Sequence, residues 1–418
     1  MYQINFPLLG NSLIMAIVIL VHVFFAFVAV GGIVIAFASE IIAYRKNSAY
    51  HDRFAEGYVK FLSEMMKPGG VLGVFIVVLL ISLFPEFTKR LYNFFFWPLV
   101  LEVAMFFIMM VATIYWKVTW GRIQNRKFHL FVGALAALSA IVSALIINAA
   151  HSFMLTPGKY FEEPKLFNAV FNPTMFASST HLLIPCIANA AAFAFIYALF
   201  KSRKAEGENK EYFAWLAKYS GTIFAAAILL QPFSGLSFLL KIRSVNGAVF
   251  NNIINGGVSK FFYPMVGIGV LAVSCAAVYF ISGRKTQKIL LLGSLAALTA
   301  FSFGGYTRER ARKPYLIYGH MYMSEAFAAE PLLSAKVPLE SGAAAPKRTV
   351  NDALSSRGCL SCHKYKGTGG TFGPALDEHL KHHPKEELKK FLRNPPEVMP
   401  PFTGTEEELN KFIEEISP

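Results

Sequence analysis

Charge is scarce in this chain: only 16% of its 418 residues are Asp, Glu, Lys or Arg, while 55% are hydrophobic, so water is not the main solvent for most of it. Cysteine is scarcer still, at four residues. Cys186 and Cys275 fall inside apolar runs and read as small packing residues; Cys359 and Cys362 fall in the tail. There is no internal repeat. The first apolar run lacks the basic n-region and small-residue cleavage site of a secretory signal and ends at Glu40 and Arg45, so it is expected to stay in the mature protein. The net charge of +14 is not gathered into one basic stripe, which excludes the nucleic-acid reading that such a balance invites.

What the sequence does have is long apolar runs. Stretches of the length needed to cross about 30 Å of hydrocarbon, roughly 20 residues each, recur near 12–43, 69–87, 95–116, 128–150, 178–200, 214–240, 261–282 and 287–305. The fold class expected is all-α: a polytopic transmembrane bundle of about eight helices, followed by a small soluble all-α domain. Loops near 44–67, 117–127, 201–218 and 284–288 hold about seventeen Lys and Arg, and the loops on the other side about seven. The positive-inside rule makes the richer set cytoplasmic. The N-terminus and everything after about residue 305 are then expected outside.

Three domains are expected: a bundle over 1–320, a tether over 321–347 rich in Ala, Pro, Ser and Glu, and a compact unit over 348–418 with three short helices. One helix lies before Cys359, one begins at Pro384 in the first-turn position, and one begins at Thr405, where Glu408 completes a capping box.

The tail carries the strongest motif. Cys359-Leu-Ser-Cys362-His363 is the covalent haem c attachment pattern: two thiols one turn apart add to the haem vinyls, and the adjacent imidazole binds iron axially. A zinc site would need four ligands, and His379, His382 and His383 do not make a second tight pair. Met399, in a proline-stiffened loop, is favoured as the second axial ligand over these three histidines, which read as a solvated helix entry. His/Met ligation raises the reduction potential. With Gly373-Pro374-Ala375-Leu376 between the ligands, residues 348–418 resemble a class I cytochrome c.

Inside the bundle, ionisable and ligand-type side chains are costly and point to function. His22, Glu102, His181 and Met265, together with the segment Glu309-Arg310-Ala311-Arg312-Lys313-Pro314-Tyr315, fall toward one side of the membrane. In this order they resemble subunit I of the cytochrome bd oxidases over about residues 1–320. The resemblance implies that His22, in Leu-Val-His-Val-Phe-Phe-Ala-Phe, binds a high-spin haem. His181 and Met265, the latter in Phe-Phe-Tyr-Pro-Met-Val-Gly-Ile-Gly, would ligate the low-spin haem b, and Glu309 the other high-spin haem. Arg312 stands within the segment that replaces the family's Gly-Arg-Gln-Pro-Trp and would stabilise propionates or reduced charge by charge-assisted hydrogen bonds. Glu102 would deliver protons, and Asn148 matches an Asn tied to the same route, with an ordinary interhelical hydrogen bond as the alternative.

The departures from that pattern also carry information. The tether and cytochrome c domain stand where the family has a ninth helix. The long quinol-binding loop is cut to about 241–260, so quinol oxidation is left without its usual site. The Gln and Trp of the signature are missing, which leaves open whether one of the two or three haems b is instead a haem d. The function expected is a respiratory oxidoreductase: a bd-like terminal oxidase catalytic subunit reducing O2 with electrons passed through haem c to haems b. The alternative is a quinol-oxidising membrane cytochrome delivering electrons through haem c to an external acceptor. The expected partners are a second multi-helix subunit like bd subunit II and a soluble cytochrome c or quinol donor. The expected place is the bacterial inner (cytoplasmic) membrane, multi-pass, with the cytochrome c domain periplasmic.

Overall fold

The computed structural model describes residues 11–313, 315–322, 350–356, 359–361, 363–369, 374–395, 399, 402 and 405–417. Among the described residues, ten helices precede the hairpin that starts at Tyr315: α1 Asn11–Lys46, α2 Ala49–Leu83, α3 Pro85–Thr119, α4 Arg126–Leu155, α5 Leu166–Val170, α6 Met175–Ser202, α7 Gly207–Val245, α8 Gly247–Ile254, α9 Ser259–Ile281 and α10 Gln287–Ala311. Among the described residues, eight of these helices are long and apolar enough to cross a membrane.

The second span departs from the sequence reading. It was expected to start near 69 after a basic loop, but helix runs from Ala49. Residues 49–67 are charged on one face only: Glu56 pairs with Lys60 at 2.7 Å, and Glu64 with Lys67. Phe54, Tyr58, Leu62 and Met66 bury the other face, so the segment is an amphipathic extension of the span. It ends at Phe84, where Pro85 opens α3 in the position proline favours. The shortened loop 241–260 also contains a helix, α8.

The bundle core is built largely from small residues. Its tightest crossing is at Gly31 of α1, where an added Cβ would lie 1.9 Å from the Cys186 carbonyl oxygen of α6. Only glycine lets the two backbones approach this closely.

At the end of the bundle where α1, α3 and α4 meet the basic loops, Glu40 is fully buried and fully bonded. Trp116 Nε1 donates to it at 2.7 Å, His129 Nδ1 lies at 2.6 Å and Arg126 Nε at 3.3 Å. Arg126 also pairs with Asp52 of α2. Antiparallel helices carry His181, Met265 and Glu309 to the opposite end. There a two-stranded hairpin, Tyr315–Ile317 with Met321–Tyr322, turns at Gly319, whose φ is +74°, and docks on α4 through Tyr318 N to Met154 O at 2.9 Å. Met321 and Tyr322, expected to begin the tether, are thus strand; 323–347 lie outside the described residues.

The C-terminal unit has helices Val350–Ser356, Leu376–His382, Lys385–Arg393 and Glu406–Ile416, a short 3₁₀ turn at Cys359–Ser361 and a two-stranded hairpin, Lys364–Tyr365 with Thr368–Gly369. Helix Leu376–His382 is additional to the three expected. Pro384 caps the next helix one residue outside it, and the Thr405–Glu408 capping box is present. Leu354, Leu380, Leu409, Phe412 and Ile413 form the core.

Candidate functional site

Three of the four bundle ligand candidates lie against a glycine of the neighbouring helix. His22 on α1 is held by α2: its Nδ1 donates to Gly69 O at 3.0 Å, and a Cβ on Gly73 would sit 3.1 Å from its Cε1. His181 on α6 faces Gly235 of α7 at 3.2 Å, and Met265 Sδ on α9 faces Gly304 of α10 at 3.3 Å. A side chain at any of these glycines would press on the ligand side chain itself and turn it. In His22 the bonded Nδ1 leaves Nε2 free, the arrangement in which an imidazole binds metal.

Two residues around His181 carried no signal in the sequence. Ser234 Oγ lies 3.2 Å and Gln231 Nε2 3.0 Å from His181 Nδ1, and Gln231 Oε1 is buried without a partner among the described residues. Iron at His181 Nε2 calls for the reverse amide orientation, in which Oε1 accepts the Nδ1 proton. The orphaned oxygen therefore fits a metal-bound imidazole better than a free one.

Glu309 is at the centre of a cationic cluster. Arg312 Nη2 donates to its two oxygens at 2.7 and 2.8 Å, Lys313 Nζ lies at 3.1 Å and Arg308 Nη1 at 3.6 Å. Arg312 also donates from Nη1 to Leu316 O at 2.6 Å, tying the hairpin to the helix end. Three cations around one carboxylate leave two positive charges over, which matches the two carboxylates of a haem. Thr307 Oγ1, the residue before this cluster, is buried without a partner among the described residues.

Glu102 on α3 accepts from Ser143 of α4 at 2.8 Å. Farther along α4, Asn148 donates to Ser178 and Ser179 of α6 at 2.8 and 2.9 Å, the interhelical bonding weighed for it above. Thr156 and Thr174 close the line at 2.6 Å. Polar side chains thus follow one helix from Glu102 to the Glu309 end.

In the C-terminal unit His363 Nδ1 donates to Pro374 O at 2.8 Å, fixing the ring with Nε2 free for iron. His363 N also bonds Cys359 O at 3.1 Å. Met399 packs against the same core as Cys359. His379 and His383 stack on each other 5.5 Å apart, and His383 bonds Glu387 at 3.1 Å, as a solvated helix entry would. Cys362 lies outside the described residues.

The fold and these side chains define a polytopic membrane protein built to hold haem, with a cytochrome c unit at its C-terminus. The profile of the family cytochrome bd terminal oxidase subunit I matches residues 12–241 and 257–339, most of the chain, and the chain belongs to that family. The profile of cytochrome c oxidase, cbb3-type, subunit III matches residues 348–414. A comparison with curated proteins gives no match. Among solved structures, bd oxidase from Geobacillus thermodenitrificans is similar at a TM-score of 0.67 and 19% identity, over 76% of this chain and 90% of that one. At that identity the likeness is one of fold.

Proposed function

We propose that the chain is the catalytic subunit of a bd-like terminal oxidase, reducing O2 with electrons passed through haem c to haems b, or to a haem d in place of one of them. The observation that carries this is the convergence of His22, His181, Met265 and Glu309 toward one end of the bundle, beside orphaned polar atoms and, for the first three, a glycine of the next helix. When bound, the haems supply one-electron iron chemistry and an open iron for oxygen. Cys359, Cys362, His363 and Met399 hold haem c; His181 and Met265 hold the low-spin haem b; His22 serves a high-spin haem. The second high-spin haem is placed at the Glu309 end, where the family resemblance makes Glu309 the ligand. Arg312 anchors anionic oxygens there by charge-assisted hydrogen bonds. Glu102 receives a proton from the cytoplasmic side and moves it at Oε2, the oxygen that Ser143 leaves free, and the line through Asn148 leads from there toward the Glu309 end.

In this reading the bundle spans 1–320, the tether 321–347 and the cytochrome domain 348–418. The cytochrome domain is periplasmic on a bacterial inner membrane, a second multi-helix subunit covers the apolar flank, and a soluble cytochrome c supplies electrons.

The test is a reduced-minus-oxidised spectrum of the purified complex with and without carbon monoxide, together with oxygen uptake from reduced cytochrome c or from a quinol. A carbon monoxide shift with uptake from cytochrome c is the expected result. Quinol reduction of haem c with no carbon monoxide shift and no oxygen uptake would make the protein a quinol-to-cytochrome conduit.

A further inference from the structure

The connections at the Glu309 end of the bundle differ in charge. Glu86 accompanies Lys89 and Arg90 at the start of α3, and Glu162 and Glu163 accompany Lys159 and Lys165 between α4 and α5. Lys241 and Arg243 at the end of α7 and Lys260 at the start of α9 have no such company: no Asp or Glu occurs between Glu211 and Glu309. All three are exposed, and none has an ion-pair partner among the described residues. Arg308, Arg312 and Lys313, by contrast, are held by Glu309. With this end outward, as proposed, the positive-inside bias works against cations here, so an unaccompanied group of them calls for an anionic partner.

The fold gathers the group. Ile242, between Lys241 and Arg243, packs with Val249, Val258 and Ala311 in one small core, which brings the ends of α7, α9 and α10 together around α8 and adds Arg310. Tyr318 of the hairpin packs against the same core, and the second strand ends soon after, at Tyr322. The chain therefore sets out toward the cytochrome c unit from beside these cations. Linkage makes any encounter between the two intramolecular, at an effective concentration on the order of millimolar.

The cytochrome c unit carries the matching charge on its last helix. Glu406–Ile416 buries Leu409, Phe412, Ile413 and Ile416 in the core that Met399 packs against. Glu407, Glu414 and Glu415 share the opposite side of that helix, with Lys411 as its one cation. This acidic side is about 10 Å, one helix diameter, from the core that holds the haem ligand. Lys364 and Lys366, exposed on the hairpin after His363, would be repelled by the same surface.

We infer that the cytochrome c unit docks on the ends of α7, α9 and α10, with Glu407, Glu414 and Glu415 against Lys241, Arg243, Lys260 and Arg310. This rests on the reading that haem c passes electrons to the bundle, and it names the surface across which they pass. In that orientation Lys364 and Lys366 point away from the bundle and leave the His363 side open to a soluble donor. Exposed ion pairs are individually weak, which suits a contact that must form and release.

The experiment uses the full chain in its purified complex. Zero-length carbodiimide coupling followed by peptide mass spectrometry is expected to join Lys241 or Lys260 to Glu407, Glu414 or Glu415, less so as salt is raised. Lys241→Glu with Lys260→Glu is expected to abolish the coupling and to slow haem b reduction by pre-reduced haem c about tenfold, with haem content unchanged. Glu407→Lys with Glu414→Lys, on the soluble unit, is expected to do the same by itself and to restore the rate when combined with the first pair. No coupling between the two units, or a rate indifferent to both reversals, would overturn the docking. So would a bundle variant that loses co-purified anionic phospholipid while its rate stays the same, since the cations would then be headgroup anchors. If the bundle held no haem, the proposed function would fail, while the coupling, which needs none, would still decide whether the unit docks here.

Discussion

The two ends of the bundle are built from similar side chains in opposite states. At one end Glu40 is fully enclosed by Trp116, His129 and Arg126 from two other helices. At the other, Glu309 is 38% exposed within an excess of cations, with Thr307 Oγ1 unpartnered among the described residues and Met265 facing a glycine on α10. At the first end the carboxylate's charge and oxygens are matched within the chain, although Trp120 Nε1 beside His129 is buried without a partner among the described residues; the second end has an excess of positive charge around its carboxylate. A buried carboxylate is therefore no indicator of a site here. What separates lock from site is whether the charge around the carboxylate is balanced within the chain.

Four substitutions sharpen this contrast. Glu40→Ala has the largest expected effect on stability: it leaves the buried His129 Nδ1 and Trp116 Nε1 without their acceptor and Arg126 with Asp52 alone, at a cost of about 3–5 kcal/mol. Thermal unfolding in detergent measures this, and haem spectra of the surviving folded fraction should be unchanged. Arg312→Ala removes bonds to Glu309 and to the Leu316 carbonyl and should cost about 1–3 kcal/mol. Unlike the first, it should also shift the carbon monoxide difference spectrum. An unchanged spectrum would mean that the cationic end is merely another lock.

Gly235→Ala places a Cβ 3.2 Å from His181 Cε1, tight enough to turn the ring. A shift of the low-spin haem b band is expected, with less than about 1 kcal/mol lost because a ring edge can give way. The smallest effect concerns pH. His320, outside the spans, stacks on Phe161 at 3.6 Å, and burial lowers its pKa from the ordinary imidazole value. The unfolded chain therefore takes up the proton first, so stability from this group is present at neutral pH and is lost as pH falls through the ordinary imidazole range. The melting temperature should fall slightly faster between pH 7 and 5 in the wild type than in His320→Phe; equal slopes would remove His320 from the account.

The spans were legible because long apolar runs have few alternatives, and the haem c motif because Cys359, Cys362 and His363 are adjacent in sequence. The first half of α2 was not, since its charges read as loop until Phe54, Tyr58 and Leu62 are seen to bury one face. Helix Leu376–His382 was hidden by its histidines, which read as polar punctuation. Gln231 carries no motif: its interest lies in unused hydrogen-bonding capacity, which exists only once neighbours are placed. Glycine at 73, 235 and 304 is equally silent in sequence, because inside a helix it signals flexibility as readily as clearance.

The crossing at Gly31 and Cys186 has a mechanical consequence. It joins the helices that carry His22 and His181, and with almost no gap it acts as a fulcrum. His22 stands nine residues along α1 from it, a lever arm of about 14 Å, so a tilt of about 5° at the crossing would swing His22 by about 1 Å. In the proposed reading, where His22 and His181 each serve a haem, a methyl group at residue 31 would change the separation of the two and so throttle tunnelling between them.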